Sequence, residues 1–190
     1  MAATDAYDPE LTVVEAVCEG DRYAFEELVR RQDRWVRGVV FGVLGRTDRI
    51  DDVAQQVWLG VWQRARELRD PTRWRAWLYR LARNAAIDAG RETTRRRGLS
   101  QPLPDRVGVD VSASAEDGAV QSEAHRAMLA AIAGLPALYR EPFVLRHLNG
   151  WSYQEIGELM GLPVDSVETR LVRARRMRRV VLKDKVGWEG

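Results

Sequence analysis

The succession Gly161, Leu162, Pro163 constrains this chain more than any other feature, because it ends one helical pattern and begins another within three residues. Gly161 can take the left-handed conformation that closes a helix, and the Pro163 ring keeps a helix from running through it. Upstream, Ser152 and Glu155 stand three apart as a capping box, in which a hydroxyl and a carboxylate satisfy backbone N–H groups left open at a helix start. Tyr153, Ile156 and Met160 then recur at helical spacing, and Gly157 leaves room for the close approach of a second helix. Downstream, Val164, Val167, Leu171 and Ala174 form one stripe, while at about 100° per residue Asp165, Thr169, Val172, Arg173 and Arg176 point the other way. The spacing predicts two short helices at a hinge, the second with one face to pack and one face to offer.

That second helix is loaded with charge. Between residues 166 and 186, eight basic side chains oppose only Glu168 and Asp184, a local charge of +6. An amphipathic hairpin with solvated arginines fits the pattern but has no need of such a surplus. A helix that contacts phosphates gains affinity with each one it neutralises, so the segment reads as DNA-binding.

Over 190 residues the net charge is only +2, so the partner signal lies in how charge is distributed. The first 27 residues carry eight acids against Arg22 alone, and the basic residues gather later. Cys18, the single cysteine, excludes an internal disulfide, and with nothing basic beside it the thiol reads as a small buried residue rather than a redox sensor. With only His125 and His147 available, no cluster has zinc-ligand spacing, so neither a metal nor a cofactor is expected. No apolar run approaches the roughly 18 residues that span a membrane, and the acidic start is unlike a secretory signal; the expectation is a cytoplasmic protein that does not engage membrane.

From 98 to 118 the periodicity gives way to two prolines and small polar residues, the pattern of a linker. Residues 105–123 carry a charge of −4, which suits a plain solvated tether and a functional one alike. Upstream, three stretches are helical in period: 21–44 (Phe25, Leu28, Val29, Trp35, Val36, Val39, Val40), 51–68 (Val53, Val57, Val61, Ala65, Leu68) and 74–97 (Trp74, Trp77, Leu78, Leu81, Ala85). No strand pattern competes. The expected fold is all-α: two small helical domains, 1–98 and 118–190, joined by a flexible linker at 99–117, the C-terminal one containing a helix-turn-helix.

The third of those helices is the second informative element. With Leu78 at the centre of its buried face, Arg80, Arg83, Asn84 and Arg91 cluster opposite, the arginines at 95–97 continue the charge, and Tyr79 lies beside them. Arginine for phosphates, an amide for base edges and an aromatic for stacking are the parts of a single-strand or deformed-duplex surface. Trp77 reads as core, whereas Trp74, at the loop edge, fits core and surface equally. There is no phosphate-cradling glycine loop, metal cluster or serine–histidine–acid set, so no catalytic residue is expected and the chain is read as a non-enzyme.

Three stretches, 48–69, 73–97 and 135–179, taken in order with a linker between the last two, resemble the extracytoplasmic-function (ECF) sigma factors, the minimal two-domain branch of the sigma-70 family. The resemblance covers about residues 20–97 and 120–182, making 1–98 the region 2 domain and 118–190 the region 4 domain. It implies a sigma factor that directs core RNA polymerase to promoters and helps open them. Asp51, Asp52, Gln55 and Gln56 match the patch that docks on the β′ clamp helices, with Gln56 standing where an acid is usual; Trp58 and Trp62 match aromatics of the same helix, and the β flap is a further implied polymerase contact. Arg69, Asp70, Thr72 and Arg73 match the loop that captures a base flipped from the −10 element, and Asn84 a reader of that element beside Arg80 and Arg83. Glu168, Thr169, Val172 and Arg173, with Arg176 beside them, match the positions that meet the −35 element in the major groove. Glu168 departs from the basic residue common there; it can accept from a cytosine amino group or serve structure, as a partner of Arg173 or of the helix start. An anti-sigma factor is implied by family habit. The competing reading is a stand-alone helix-turn-helix regulator that binds a palindromic duplex without polymerase, which gives the Arg80, Arg83 and Asn84 face no task.

Overall fold

The computed structural model describes residues 10–96, 123–147 and 150–186, with side chains placed as far as Met177 in the last helix. The described residues form eight α-helices and no strand: α1 Leu11–Glu19, α2 Arg22–Leu44, α3 Ile50–Arg64, α4 Trp74–Arg96, α5 Glu123–Ala133, α6 Ala137–His147, α7 Tyr153–Met160 and α8 Val164–Val186. Short 3-10 turns, Ala65–Glu67 and Pro71–Arg73, join α3 to α4. The linker expected at 99–117 lies outside the described residues.

The helices start and stop where local chemistry requires. Asp21 caps α2 by accepting from the backbone N–H of Tyr23 (2.7 Å) and Ala24 (3.1 Å), and Gly45 ends it at φ +67°. Asp51 and Asp52 lie in the first turn of α3, at the positive end of its dipole. Helix α1, which periodicity did not single out, buries Val14 and Val17 against the rest of the first half and turns into α2 at Gly20.

Helices α2, α3 and α4 pack around Val36, Val39, Val40, Val53, Val57, Val61 and Leu78, all nearly inaccessible. Helices α5 to α8 pack around Ile132, Leu135, Leu145, Ile156, Leu171 and Ala174. Each buried Val, Leu or Ile among these is worth about 1.5–3 kcal/mol over leaving it in water, enough to give each half its own core. The two cores nevertheless meet, because α6 lies along α2 in the most extensive helix–helix contact of the molecule. At Gly42 the α6 backbone comes close enough for a Cβ to touch the Glu141 Cα at 3.5 Å.

Candidate nucleic-acid and polymerase interface

The capping box at the start of α7 is formed in both directions, Ser152 N–H donating to Glu155 Oε2 at 2.7 Å and Glu155 N–H to Ser152 Oγ at 3.2 Å. The Ser152 hydroxyl and then its N–H hold the Glu155 carboxyl below the usual carboxylate range. Gly161 closes the helix at φ +66°. The room left by Gly157 is taken by the turn and by the start of the second helix, since a Cβ there would stand 2.8 Å from the Leu162 carbonyl oxygen and 3.8 Å from Val164 Cγ2 of α8. In α8, Val167, Leu171 and Ala174 are buried, but Val164, expected on the same stripe, stands at the open start of the helix and is 44% exposed, lying against the Gly157 side of α7.

On its outer side α8 presents Glu168, Thr169, Val172, Arg173 and Arg176 to solvent. Arg173 only grazes the Tyr139 hydroxyl, at 3.5 Å. Glu168 makes no hydrogen bond or ion pair among the described residues, so neither structural role offered for it is filled here. Arg170 does not join this face: it turns toward α4, across a cleft.

Helix α4 is less open. Arg80 and Asn84 are exposed one turn apart, and Arg83 is half-buried. Tyr79, expected beside them as a stacking surface, is 2% exposed and donates its hydroxyl to Glu141 of α6, so its ring is unavailable to a base. Burial, followed by the Glu141 charge, pushes its pKa well above the ordinary tyrosine value. Arg83 Nε donates to the same carboxylate oxygen at 2.7 Å; burial works against its charge, but Glu141 and Tyr79 outweigh that and hold its pKa above the ordinary value. Arg80, Arg83 and Asn84 line one wall of a 480 Å³ cleft, with Leu138, Leu162 and Arg170 opposite.

The tryptophans of α4 divide between the core and its edge. Trp74 is 2% exposed and forms core under the Arg75 guanidinium, 4.8 Å from its ring centre. Trp77, read as core, is only partly buried, and at three to seven residues from Arg73, Arg80 and Asn84 it shares their helical face. The signal was present in that spacing but was masked by the general rule that tryptophan goes inside.

At the head of α4, the turn holding Arg69, Asp70, Thr72 and Arg73 is exposed at all four positions. Asp70 organises it, accepting from the Thr72 N–H at 3.1 Å and the Thr72 hydroxyl at 2.5 Å, with Arg73 at 3.8 Å. From Arg73 to Asn84 is roughly 16 Å along the helix, so turn and helix face form one continuous strip.

On α3, Asp51, Asp52, Gln55 and Gln56 are all exposed. Asp51 pairs with Arg37 of α2, and Asp52 lies 3.5 Å from Arg49. Beside them runs a 780 Å³ groove with an apolar floor of Phe25, Trp58, Leu59 and Trp62. Trp58 is nearly buried, its indole N–H donating to Asp33 at 2.8 Å, whereas Leu59 and Trp62 are 56% and 42% exposed. Leu59 escaped the sequence reading, and Phe25 was read only as part of the helical stripe of 21–44; the usable signal was Leu59 lying off the core stripe three residues before Trp62.

Two further residues escaped it entirely. Arg140 and Glu141, adjacent on α6, are each 7% exposed. The Arg140 guanidinium donates to the carbonyls of Gly42 (2.8 Å) and Val43 (2.8 Å) in the last turn of α2, and to those of Ala133 (2.9 Å) and Leu135 (2.8 Å) at the end of α5. One cation thus satisfies carbonyls at the negative ends of two helices. Burial brings its pKa down to about 10, which leaves it charged at neutral pH. Trp35 and Trp151 stack across the same junction, ring centres 5.7 Å apart.

Among the described residues no cluster of His, Cys, Asp or Glu could hold a metal, and no helix is long and apolar enough to cross a membrane. Burial, then Glu15 and Glu19, raise the pKa of the half-buried Cys18 thiol.

Comparison with known proteins follows the same division of the chain. Residues 28–96 match the family described as sigma-70 region 2, and 125–177 that described as sigma-70, region 4. Among curated relatives, the ECF RNA polymerase sigma-E factor of Haemophilus influenzae is 33% identical over 172 residues, covering 87% of this chain and 90% of the relative. The ECF sigma factor SigW of Bacillus subtilis is 27% identical, covering 90% and 95%. Among solved structures, CnrH in complex with the cytosolic domain of CnrY superposes with a TM-score of 0.67 at 25% identity, over 94% of this chain and 99% of that one. The sigma factor RpoE of Bartonella quintana, in complex with the anti-sigma factor NepR, shares the fold with a TM-score of 0.64 at 20% identity, over 85% and 98%.

Proposed function

The chain belongs to the extracytoplasmic-function branch of the sigma-70 family, and from that premise we propose how its surfaces divide the work. It is an RNA polymerase sigma factor that directs core polymerase to promoters in transcription initiation. The outer face of α8, with Glu168, Thr169, Val172, Arg173 and Arg176, enters the major groove at the −35 element; its exposure and its freedom from internal ion pairs support this assignment. Glu168 there accepts from a cytosine amino group. The strip formed by Arg69, Asp70, Thr72 and Arg73 with Arg80, Arg83 and Asn84 holds the melted −10 strand, and the partly buried Trp77 between its two ends supplies the stacking face. Asp51, Asp52, Gln55 and Gln56 meet the β′ clamp helices, with Leu59 and Trp62 beside them offering apolar contact.

On this reading residues 1–98 and 118–190 are the two working domains, 99–117 spans between them, and the second also meets the β flap. The protein acts by binding alone, in the cytoplasm, and takes an anti-sigma factor as a partner, as the RpoE neighbour does.

The observation that carries the assignment is the continuity of turn and helix into one exposed basic and polar strip with an aromatic inside it. Transcription reconstituted with core polymerase on a promoter mapped by start-site sequencing tests it. Asn84→Ala should leave −35 engagement intact and slow strand opening; equal loss at both steps would remove Asn84 from the strand path.

A further inference from the structure

Two neighbouring charges on α6, Arg140 and Glu141, are buried in the contact between the halves of the chain, and a buried carboxylate is costly unless partnered. Among the described residues, the hydrogen-bond partners of Glu141 lie across that contact: one carboxylate oxygen accepts from the Tyr79 hydroxyl and from Arg83 Nε at 2.7 Å. Two donors converging on one oxygen make an oxyanion cradle, and a guanidinium serves a carboxylate and a phosphate alike. The cradle opens onto the 480 Å³ cleft where Arg80 and Asn84 stand unpartnered among the described residues. The −35 face of α8 has no such cover.

We propose that Tyr79 and Arg83 form a site for a backbone phosphate of the −10 strand, and that Glu141 fills this site in the free chain as the chain's own phosphate mimic. The inference rests on the assignment of α4 to the −10 strand made above. The free chain therefore keeps the phosphate site of Tyr79 and Arg83 filled while leaving Arg80, Asn84 and the −35 face ready, and opening the α2–α6 contact exchanges Glu141 for DNA. Arg140 makes the exchange reversible. When α6 leaves α2 it keeps the Ala133 and Leu135 carbonyls of its own half, and those of Gly42 and Val43 pass to water.

The test uses the full-length free chain, compared as wild type, Glu141→Gln, the double variant Glu141→Gln with Tyr79→Phe, and Glu15→Gln as a charge-matched control on α1. Small-angle scattering reads the radius of gyration, and anisotropy at fixed salt reads affinity for a labelled random-sequence single strand of about 20 nucleotides. Glu141→Gln should expand the chain and tighten single-strand binding by about 10-fold, the effect of weakening hydrogen bonds to a charged acceptor. The double variant should expand but lose the gain, and Glu15→Gln should match wild type in both. Unchanged size and affinity in Glu141→Gln would overturn the proposal, as would expansion with no more affinity than Glu15→Gln. Promoter opening with core polymerase is measured on the same wild-type preparation. Its absence would sink the sigma-factor assignment, whereas its presence beside an unresponsive Glu141→Gln would sink the phosphate mimic alone.

Discussion

The basic faces of α4 and α8 are built from similar parts, arginines beside short polar side chains on the outer side of a long helix, yet one is engaged by its own chain and the other is free. On α8, Arg176 stands in water, Arg173 is exposed with no contact but a 3.5 Å approach to the Tyr139 hydroxyl, and Glu168 has no partner among the described residues. On α4, Arg83 is tied to a carboxylate and the neighbouring ring of Tyr79 is closed in. The difference lies in what reaches each helix, because α6 packs along α2 and extends Glu141 to Tyr79 and Arg83 of α4, but leaves the outer side of α8 bare. Charge on a helix marks a capacity to bind, and packing from elsewhere in the chain decides when that capacity is available.

The largest expected effect comes from removing what holds the cover in place. Arg140→Ala strips four buried carbonyls of their donor and should cost about 3 kcal/mol in denaturant unfolding. A loss below about 1 kcal/mol would mean that water already serves those carbonyls. Next, Arg173→Ala should weaken binding to a −35 duplex by about 1–3 kcal/mol, and by the same factor in the free chain and in holoenzyme, because its face is open in both. A loss seen in holoenzyme only would show that α8 is screened as well. Arg83→Ala should act unequally, because Glu141 already occupies Arg83 in the free chain: little effect on single-strand binding there and a loss of about 1 kcal/mol in the open complex measured by salt-dependent dissociation. Smallest is Ser152→Ala, expected to cost about 1 kcal/mol of stability and to lower −35 affinity only through α7. Its signature is pH-dependent. Glu155 has a folded pKa depressed below 4.5, so the stability it contributes is fully present above 4.5 and fades as pH falls through the folded value. The variant should lose part of that slope.

What could be read from residues alone divides along the same line. The α7–turn–α8 unit was legible because a capping box, a left-handed glycine and a proline are instructions that act within three or four residues. The long helices α2, α3 and α4 were legible from period, and the exposed positions Asp51, Asp52, Gln55, Gln56, Arg80 and Asn84 followed from it. Helix α1 was not, since its nine residues begin without a side-chain cap and its acids resemble a solvated tail. Tyr79 was misplaced because the helix that buries it lies 62 residues away in sequence. Arg140 and Glu141 looked like surface charges for the same reason, since a side chain's sequence neighbours say nothing of carbonyls nearly a hundred residues upstream.

The grip of Arg140 on the ends of α2 and α5 has a thermal consequence. Two domains with separate cores would ordinarily absorb heat in two steps, but a guanidinium bonded into both makes the loss of either end a loss to the other. Scanning calorimetry of the free chain should show one endotherm, with calorimetric and van't Hoff enthalpies in agreement. In Glu141→Gln, where the halves part, it should resolve into two.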